Sequence, residues 1–224
     1  VYAALGLALV MTFKSSGVVN FATGAIALYA AYTFAYLRRG EFLNPIPGFE
    51  PTVDLGGRLD VLPAALIAVA LSGVLGVLLY LIVFRPMRTA PALAKAVAAI
   101  GLMLVLQAVV ALRVGSAAPP VASFLPRQTF RIGDVVVSSE GLWLALIIVC
   151  LAVLAALVLR YTRFGVATEA AAESERGALV TGLSPDKIAL ANWALSSATA
   201  GVGGVLIAPL VPLSPVAYTM FIVP

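Results

Sequence analysis

The chain contains no histidine and a single cysteine, Cys150, which sits inside an apolar run. Without imidazole there is no His-based acid–base catalysis, and one thiol makes neither a disulfide framework nor a Cys/His metal site. Charge is scarce too, at 11% of residues against roughly 25% in a soluble domain. Hydrophobic residues make up 62% and the mean hydropathy is +1.08, the composition of an integral membrane protein. The net charge of +4 could suggest nucleic acid, but the basic residues stand at the ends of apolar runs, where a membrane protein places them, so that partner is excluded. None of the ten acids falls inside an apolar run, whereas a proton- or sodium-driven carrier keeps a carboxylate at membrane depth for its coupling ion. A Gly-x-x-x-x-Gly-Lys-Ser/Thr loop is also missing, so no ATPase site, catalytic residue or cofactor is expected in this chain.

What is present is a series of uncharged stretches near the roughly 20 residues a spanning helix needs: Ser15–Leu37, Val61–Phe84, Ala96–Leu112 and Gly141–Leu159. The first apolar run, Val1 to Phe13, is shorter, so the chain is expected to begin inside a span. At the other end Pro209, Pro212 and Pro215 cannot share one unbroken helix, so a span over Ile188–Ala208 is expected to end before them, with another element being entered. The expectation is one all-α polytopic helix bundle of about six spans over residues 1–224, truncated at both ends. Alternation puts Lys14, Arg85, Arg88, Lys95, Arg160, Arg163, Arg176 and Lys187 on one side and Arg38, Arg39, Arg58, Arg113, Arg127 and Arg131 on the other. The first set has the shorter loops and marks the cytoplasmic face. Of the two outer loops, Gly40 to Gly57 reads as irregular chain. TFRIGDVVVS alternates around Gly133-Asp134, which suggests a β-hairpin at 129–138 or a plain ordered loop.

Between Arg160 and Lys187 the chain reads RYTRFGVATEAAAESERGALVTGLSPDK, an alanine-rich acidic helix between two spans on the cytoplasmic side. At helical spacing Ala170, Ala171, Ser174 and Ala178 share one face, and Glu169, Glu173 and Arg176 a neighbouring one. Gly182 suits a left-handed helix stop, and Ser184-Pro185 suits the N-cap and first turn of the next helix. A helix lying on lipid opposes bulky apolar residues to Lys and Arg. This face is alanine, which fits a protein socket.

Polar residues and glycines interrupt the spans at Gly17, Asn20, Thr23 and Gly24, at Gln107, and at Asn192, Trp193, Ser196, Ser197 and Thr199. Such positions face protein or a watery cavity: they either border a transport path or bond and pack helix against helix. Gly201-Val202-Gly203-Gly204 lies in a span with no lysine near it and reads as helix packing.

The 165–182 segment resembles the EAA loop of ABC importer permeases, with Glu169-Ala170-Ala171 as the EAA letters, although Glu175 stands where that pattern has glycine and Gly177 lies two residues on. It is more similar to the branched-chain amino acid permeases of the LivH type through Arg163-Phe164-Gly165, Ala167, Ala170, Ala172-Glu173, Ala178, Leu179, Gly182-Leu183 and Pro185. SGVVNFATGAIALYAAY resembles a second stretch of that family through Asn20, Phe21, Ala22, Gly24, Ala31 and Tyr32, with Thr23 in place of a histidine and Ala30 in place of a glycine; FRPMRTAPALAKAVAAIGLMLVLQ resembles its linker and next helix.

The resemblance implies a multi-pass permease subunit in a bacterial plasma membrane. Its partners would be membrane lipid, a second permease of the LivM type, two cytoplasmic ABC ATPases that hold ATP-Mg, and an extracytoplasmic substrate-binding protein. Gly165, Glu169, Ala170, Ala171, Glu173, Gly182 and Pro185 would couple to the ATPase. Asn20, Phe21, Thr23, Gly24, Gln107, Asn192, Trp193 and Ser196 would line the path of leucine, isoleucine or valine. Permeases for urea or short amides look alike; a passive channel for a small neutral solute would also explain the uncharged spans but leaves the alanine helix idle, and a non-transporting scaffold is the third reading.

Overall fold

The computed structural model describes residues 2–16, 20–46, 48–115, 121, 124, 129–132, 135–210 and 213, which are predominantly helical. The bundle is built from α1 (Tyr2–Ser16), α2 (Thr23–Leu37), α3 (Val61–Leu79, continued by one π turn over Tyr80–Phe84), α4 (Ala92–Val114), α5 (Ser139–Tyr161) and α8 (Pro185–Ile207). Two short helices, α6 (Arg163–Glu173) and α7 (Glu175–Val180), join α5 to α8. Among the described residues four helices are long and apolar enough to cross a membrane: α3 with its π turn, α4, α5 and α8. These match the sequence expectation to within a few residues at each end.

The expected span Ser15–Leu37 is corrected. Asn20, Phe21 and Ala22 form a turn rather than helix, and α2 starts only at Thr23. Asn20 explains the restart. Its side-chain Oδ1 accepts from the Ala22 N–H at 3.0 Å, and its carbonyl accepts from the Thr23 N–H at 3.2 Å and the Thr23 hydroxyl at 2.6 Å. A side chain that bonds its own backbone offers an alternative to helix, so the turn is built locally. The resulting α2 has 15 residues, about 22 Å of helix against a hydrocarbon core of about 30 Å. All of its residues are buried, so protein rather than lipid surrounds it.

The bundle inverts the soluble pattern. α8 is the least apolar of the four long helices, with mean hydropathy 1.3 against 2.7, 2.3 and 3.2 for α3, α4 and α5, yet it is by far the most buried. The greasier helices expose Leu62, Leu66, Ile82, Leu93, Leu104, Leu146, Val149 and Leu154 as a lipid-facing surface. Since lipid is as apolar as leucine, burial drives no helix pairing here, and close packing of small residues takes its place. α8 crosses α3 at such a seam. A Cβ on Gly76 would lie 2.1 Å from Ser197 Oγ and 2.7 Å from the Trp193 carbonyl oxygen, and one on Gly201 would lie 2.7 Å from Ser72 Oγ. On its other side α8 meets α2, where a Cβ on Gly204 would stand 2.0 Å from the Ala27 carbonyl oxygen. The glycine run 201–204 is helix packing.

At one end of the bundle the α2–α3 loop is more ordered than expected. Glu41–Leu43 (β1) pairs antiparallel with Thr52–Asp54 (β2), Phe42 opposite Val53, and the Leu55 N–H and Gly40 carbonyl extend the ladder at 2.8 Å. Gly40 has φ +89°, and a Cβ there would lie 2.8 Å from the Gly57 carbonyl oxygen. Three-residue strands among prolines carry no alternation to read. Of the two readings left open for 129–138, the structure takes the hairpin: Thr129–Ile132 (β3) pairs with Val135–Ser138 (β4), Ile132 opposite Val135. Arg38 bonds the Leu59 carbonyl and Arg113 the Phe49 carbonyl at this end, and α6, α7 and the first turn of α8 lie at the other, as alternation demands.

Candidate functional site

Two features qualify as functional: the segment joining α5 to α8, and the polar row of α8 that faces into the bundle. The segment is not the single 165–182 helix of the sequence reading. Ser174 adopts extended backbone (φ −153°, ψ 109°), and its hydroxyl accepts from the Gly177 N–H at 3.0 Å, so it caps α7 while ending α6. A serine that can bond the backbone three residues on favours an N-cap over a helix interior, which divides the run. The faces predicted for one continuous helix do not carry across this break.

Each end of the segment is fixed. Thr162 caps α6 by accepting from the Gly165 N–H at 3.3 Å. Gly165 is buried in the α5–α6 corner, where a Cβ would stand 1.8 Å from the Leu159 carbonyl oxygen, so only glycine permits the bend. α7 closes in a Schellman turn: the Leu183 N–H donates to the Ala178 carbonyl at 2.9 Å, the Gly182 N–H to the Leu179 carbonyl at 3.1 Å, and Gly182 takes φ +80°. Pro185 then occupies N1 of α8 with Ser184 as its N-cap residue, although the serine side chain makes no capping bond. Glu169 and Glu173 are exposed, Ala170 and Ala171 are half-buried, and Ala178 and Pro185 are buried. The outward surface of the segment is therefore not the expected face of Ala170, Ala171 and Ala178 but presents Val166, Leu179 and Val180, the last 88% exposed.

The polar row of α8 divides between neighbours. Asn192 donates through Nδ2 to Thr168 Oγ1 of α6 at 3.0 Å, tying the segment to the buried helix. Ser196 meets Thr12 of α1 hydroxyl to hydroxyl and donates to the Ala8 carbonyl at 2.7 Å. Trp193 turns to α3, with its ring 4.3 Å from that of Phe84 and 6.3 Å from that of Tyr80, centroid to centroid. Phe21 packs against this aromatic cluster, which brings the residue after Asn20 to the foot of α8. Asn192 Oδ1, Trp193 Nε1 and Ser197 Oγ are buried without a hydrogen-bond partner among the described residues. Polar atoms left so cost free energy that a bound solute or water recovers.

Of the path residues expected from sequence, the structure groups Phe21 with Trp193 and buries Asn192 and Ser196 on the same helix. Asn20, 2% exposed, forms the turn before α2 with Thr23, and Gly24 is buried in the first turn of α2. Gln107 is half-buried on α4, about two turns beyond Ala99, which packs in the Trp193 cluster. Gly17 lies outside the described residues. Sequence reasoning missed Thr12, Thr168, Tyr80 and Asp186. Thr12 was visible as a lone hydroxyl in an apolar run, and Asp186 as an acid in the first turn of a helix.

A bundle with polar side chains directed inward, apolar surface directed outward and a short capped two-helix segment between two full spans is the architecture of a polytopic permease. The family model "Branched-chain amino acid transport system / permease component" matches residues 1–222, and the chain belongs to that family. It is similar to the protein named high-affinity branched-chain amino acid transport system permease protein LivH of Escherichia coli (strain K12), 24% identical over 213 residues, and to that of Salmonella typhimurium, 26% over 217 residues. Each match covers 92% of this chain and 66% of the relative, so the chain spans just under two thirds of their length. No solved structure matches.

Proposed function

We propose that the chain is the membrane-spanning permease subunit of an ATP-driven importer in a bacterial plasma membrane, carrying branched-chain or similar small amino acids. The carrying observation is the α6–α7 segment: two capped helices, stopped by Gly182 and exposing Val166, Leu179 and Val180 at the end of the bundle that positive-inside charge assigns to the cytoplasm. The described acids support an external energy source, because those within long helices, Glu140 and Asp186, sit in first turns rather than at membrane depth.

In this reading a cytoplasmic ATPase pair holding ATP-Mg grips the segment, and a second permease subunit and an extracytoplasmic binding protein complete the assembly. Closure of the ATPases displaces α6 and α7. Asn192 and Thr168 pass that displacement to α8, whose buried polar row borders the path, and the permease shifts between outward- and inward-open states. Co-expression with its ATPase tests the reading: the two should purify as one complex whose ATP hydrolysis drives uptake of leucine, isoleucine or valine. Uptake that persists without the ATPase, or the absence of any complex, would refute it in favour of a passive channel.

A further inference from the structure

The inner ends of α3 and α8 are joined by a cluster that the path and the coupling segment do not include. Asp186, second residue of α8, is 28% exposed in its side chain and uses both carboxylate oxygens. The Tyr80 hydroxyl donates to Oδ1 at 2.7 Å, Arg85 Nη2 lies 3.1 Å from Oδ2, and Arg88 Nη1 lies 3.7 Å from Oδ1. These partners come from one place because α3 ends in a π turn, in which the Arg85 N–H reaches back five residues to the Tyr80 carbonyl at 2.7 Å. In a regular α-helix residues five apart point about 140° from one another. The wider turn stacks them, so Tyr80 and Arg85 converge on one carboxylate. A π turn departs from the favoured ladder and is frequently found at functional sites.

The same turn grips α8 a second time. Phe84 and Tyr80 pack against Trp193, seven residues and about two turns above Asp186 on the same face. Asp186 follows the Gly182 stop by four residues, and Phe21, next to the Asn20 turn, packs in the Trp193 cluster. The cluster therefore lies between the end of the coupling segment and the break that opens α2.

We propose that Asp186, Tyr80 and Arg85 form a latch that makes the inner ends of α3 and α8 move as one body, so that displacement of α6–α7 reaches the core instead of being lost in the Leu183–Pro185 connection. They are positioning residues, and the inference rests on the importer reading above. Without the latch α8 slides along the small-residue seam while the π turn stays in place, and ATP is hydrolysed without transport.

The test uses the complete transporter in proteoliposomes, measuring copurified ATPase, ATP hydrolysis and leucine uptake for Asp186→Asn, Tyr80→Phe and the charge exchange Asp186→Lys with Arg85→Glu. For both single variants the ATPase should copurify at the parental level and hydrolysis should stay within about twofold, while leucine carried per ATP falls about fivefold or more. The charge exchange should recover at least half of the loss. Tyr80→Phe removes one hydroxyl and keeps the ring against Trp193, so it decides the matter if Asp186→Asn assembles poorly. An unchanged ratio of transport to hydrolysis in Tyr80→Phe, or equal loss of assembly and transport with no recovery in the exchange, overturns the latch. A parental permease that does not hold the ATPase overturns the importer reading itself.

Discussion

Replacing the glycines of α3, α4 and α8 by alanine, one at a time, tests whether close helix approach holds this bundle together. At Gly204 the new Cβ would stand 2.0 Å from the Ala27 carbonyl oxygen and 3.0 Å from its Cα. Both are backbone atoms and cannot rotate away, so α2 and α8 must separate by about 1 Å. A radial gap of that size forfeits a quarter to a half of the dispersion energy across the contact. Overpacking of this kind costs about 3 kcal/mol, offset by about 1 kcal/mol from alanine's better helix propensity, for a net loss near 2 kcal/mol. For a chain of this size that corresponds to a fall in Tm of about 5 °C. Gly76→Ala should behave similarly, because it meets the Trp193 carbonyl at 2.7 Å as well as the Ser197 hydroxyl. Gly201→Ala meets Ser72 Oγ at 2.7 Å, which can rotate away, and Ser72 Cβ at 2.8 Å, which cannot, so α3 and α8 must give by a few tenths of an ångström and the cost should be smaller than at Gly204. At Gly73 the nearest atom is an ordinary 3.5 Å away, and at Gly101 nothing lies within 4 Å, so both substitutions should be neutral or slightly stabilising. The assay is thermal unfolding of the purified complex in a single detergent, with membrane abundance measured alongside. Equal stability of Gly204→Ala and Gly101→Ala would refute the argument that the 201–204 run exists for packing.

Three further outcomes are expected. In a Cys150→Ala background, a cysteine at Glu50 should react with an impermeant thiol reagent from outside intact cells, whereas one at Ser174 should react only in inverted vesicles; the reverse pattern would overturn the orientation. Asn20→Leu removes the Oδ1 acceptor that builds the turn before α2, and should lower uptake about tenfold or more with assembled complex within about twofold of parental, measured by pull-down and transport of labelled leucine. Gly182→Val places a β-branched residue at φ +80°, a strain of about 1–2 kcal/mol, and should reduce ATPase association while leaving membrane insertion unchanged.

The sequence by itself determined the membrane class, the four long helices, the left-handed Gly182 and the placing of Pro185 at a helix start, and left a hairpin or a plain loop open at 129–138. These follow from properties a single residue or a single run carries: side-chain polarity summed over a bilayer's thickness, the missing Cβ of glycine, the missing N–H of proline. The extended Ser174 and the turn at Asn20 were decided by competition between a side chain and the backbone, a contest whose winner composition does not announce. Only the tertiary structure decided that the least apolar long helix would lie at the centre, because that depends on which neighbours offer Thr12, Thr168 and a glycine seam to its polar face. The Asp186 cluster was hidden for the same reason. Asp186 lies 106 residues from Tyr80 in the chain, and a π turn, for which periodicity gives no signal, sets Tyr80 and Arg85 on one side of α3.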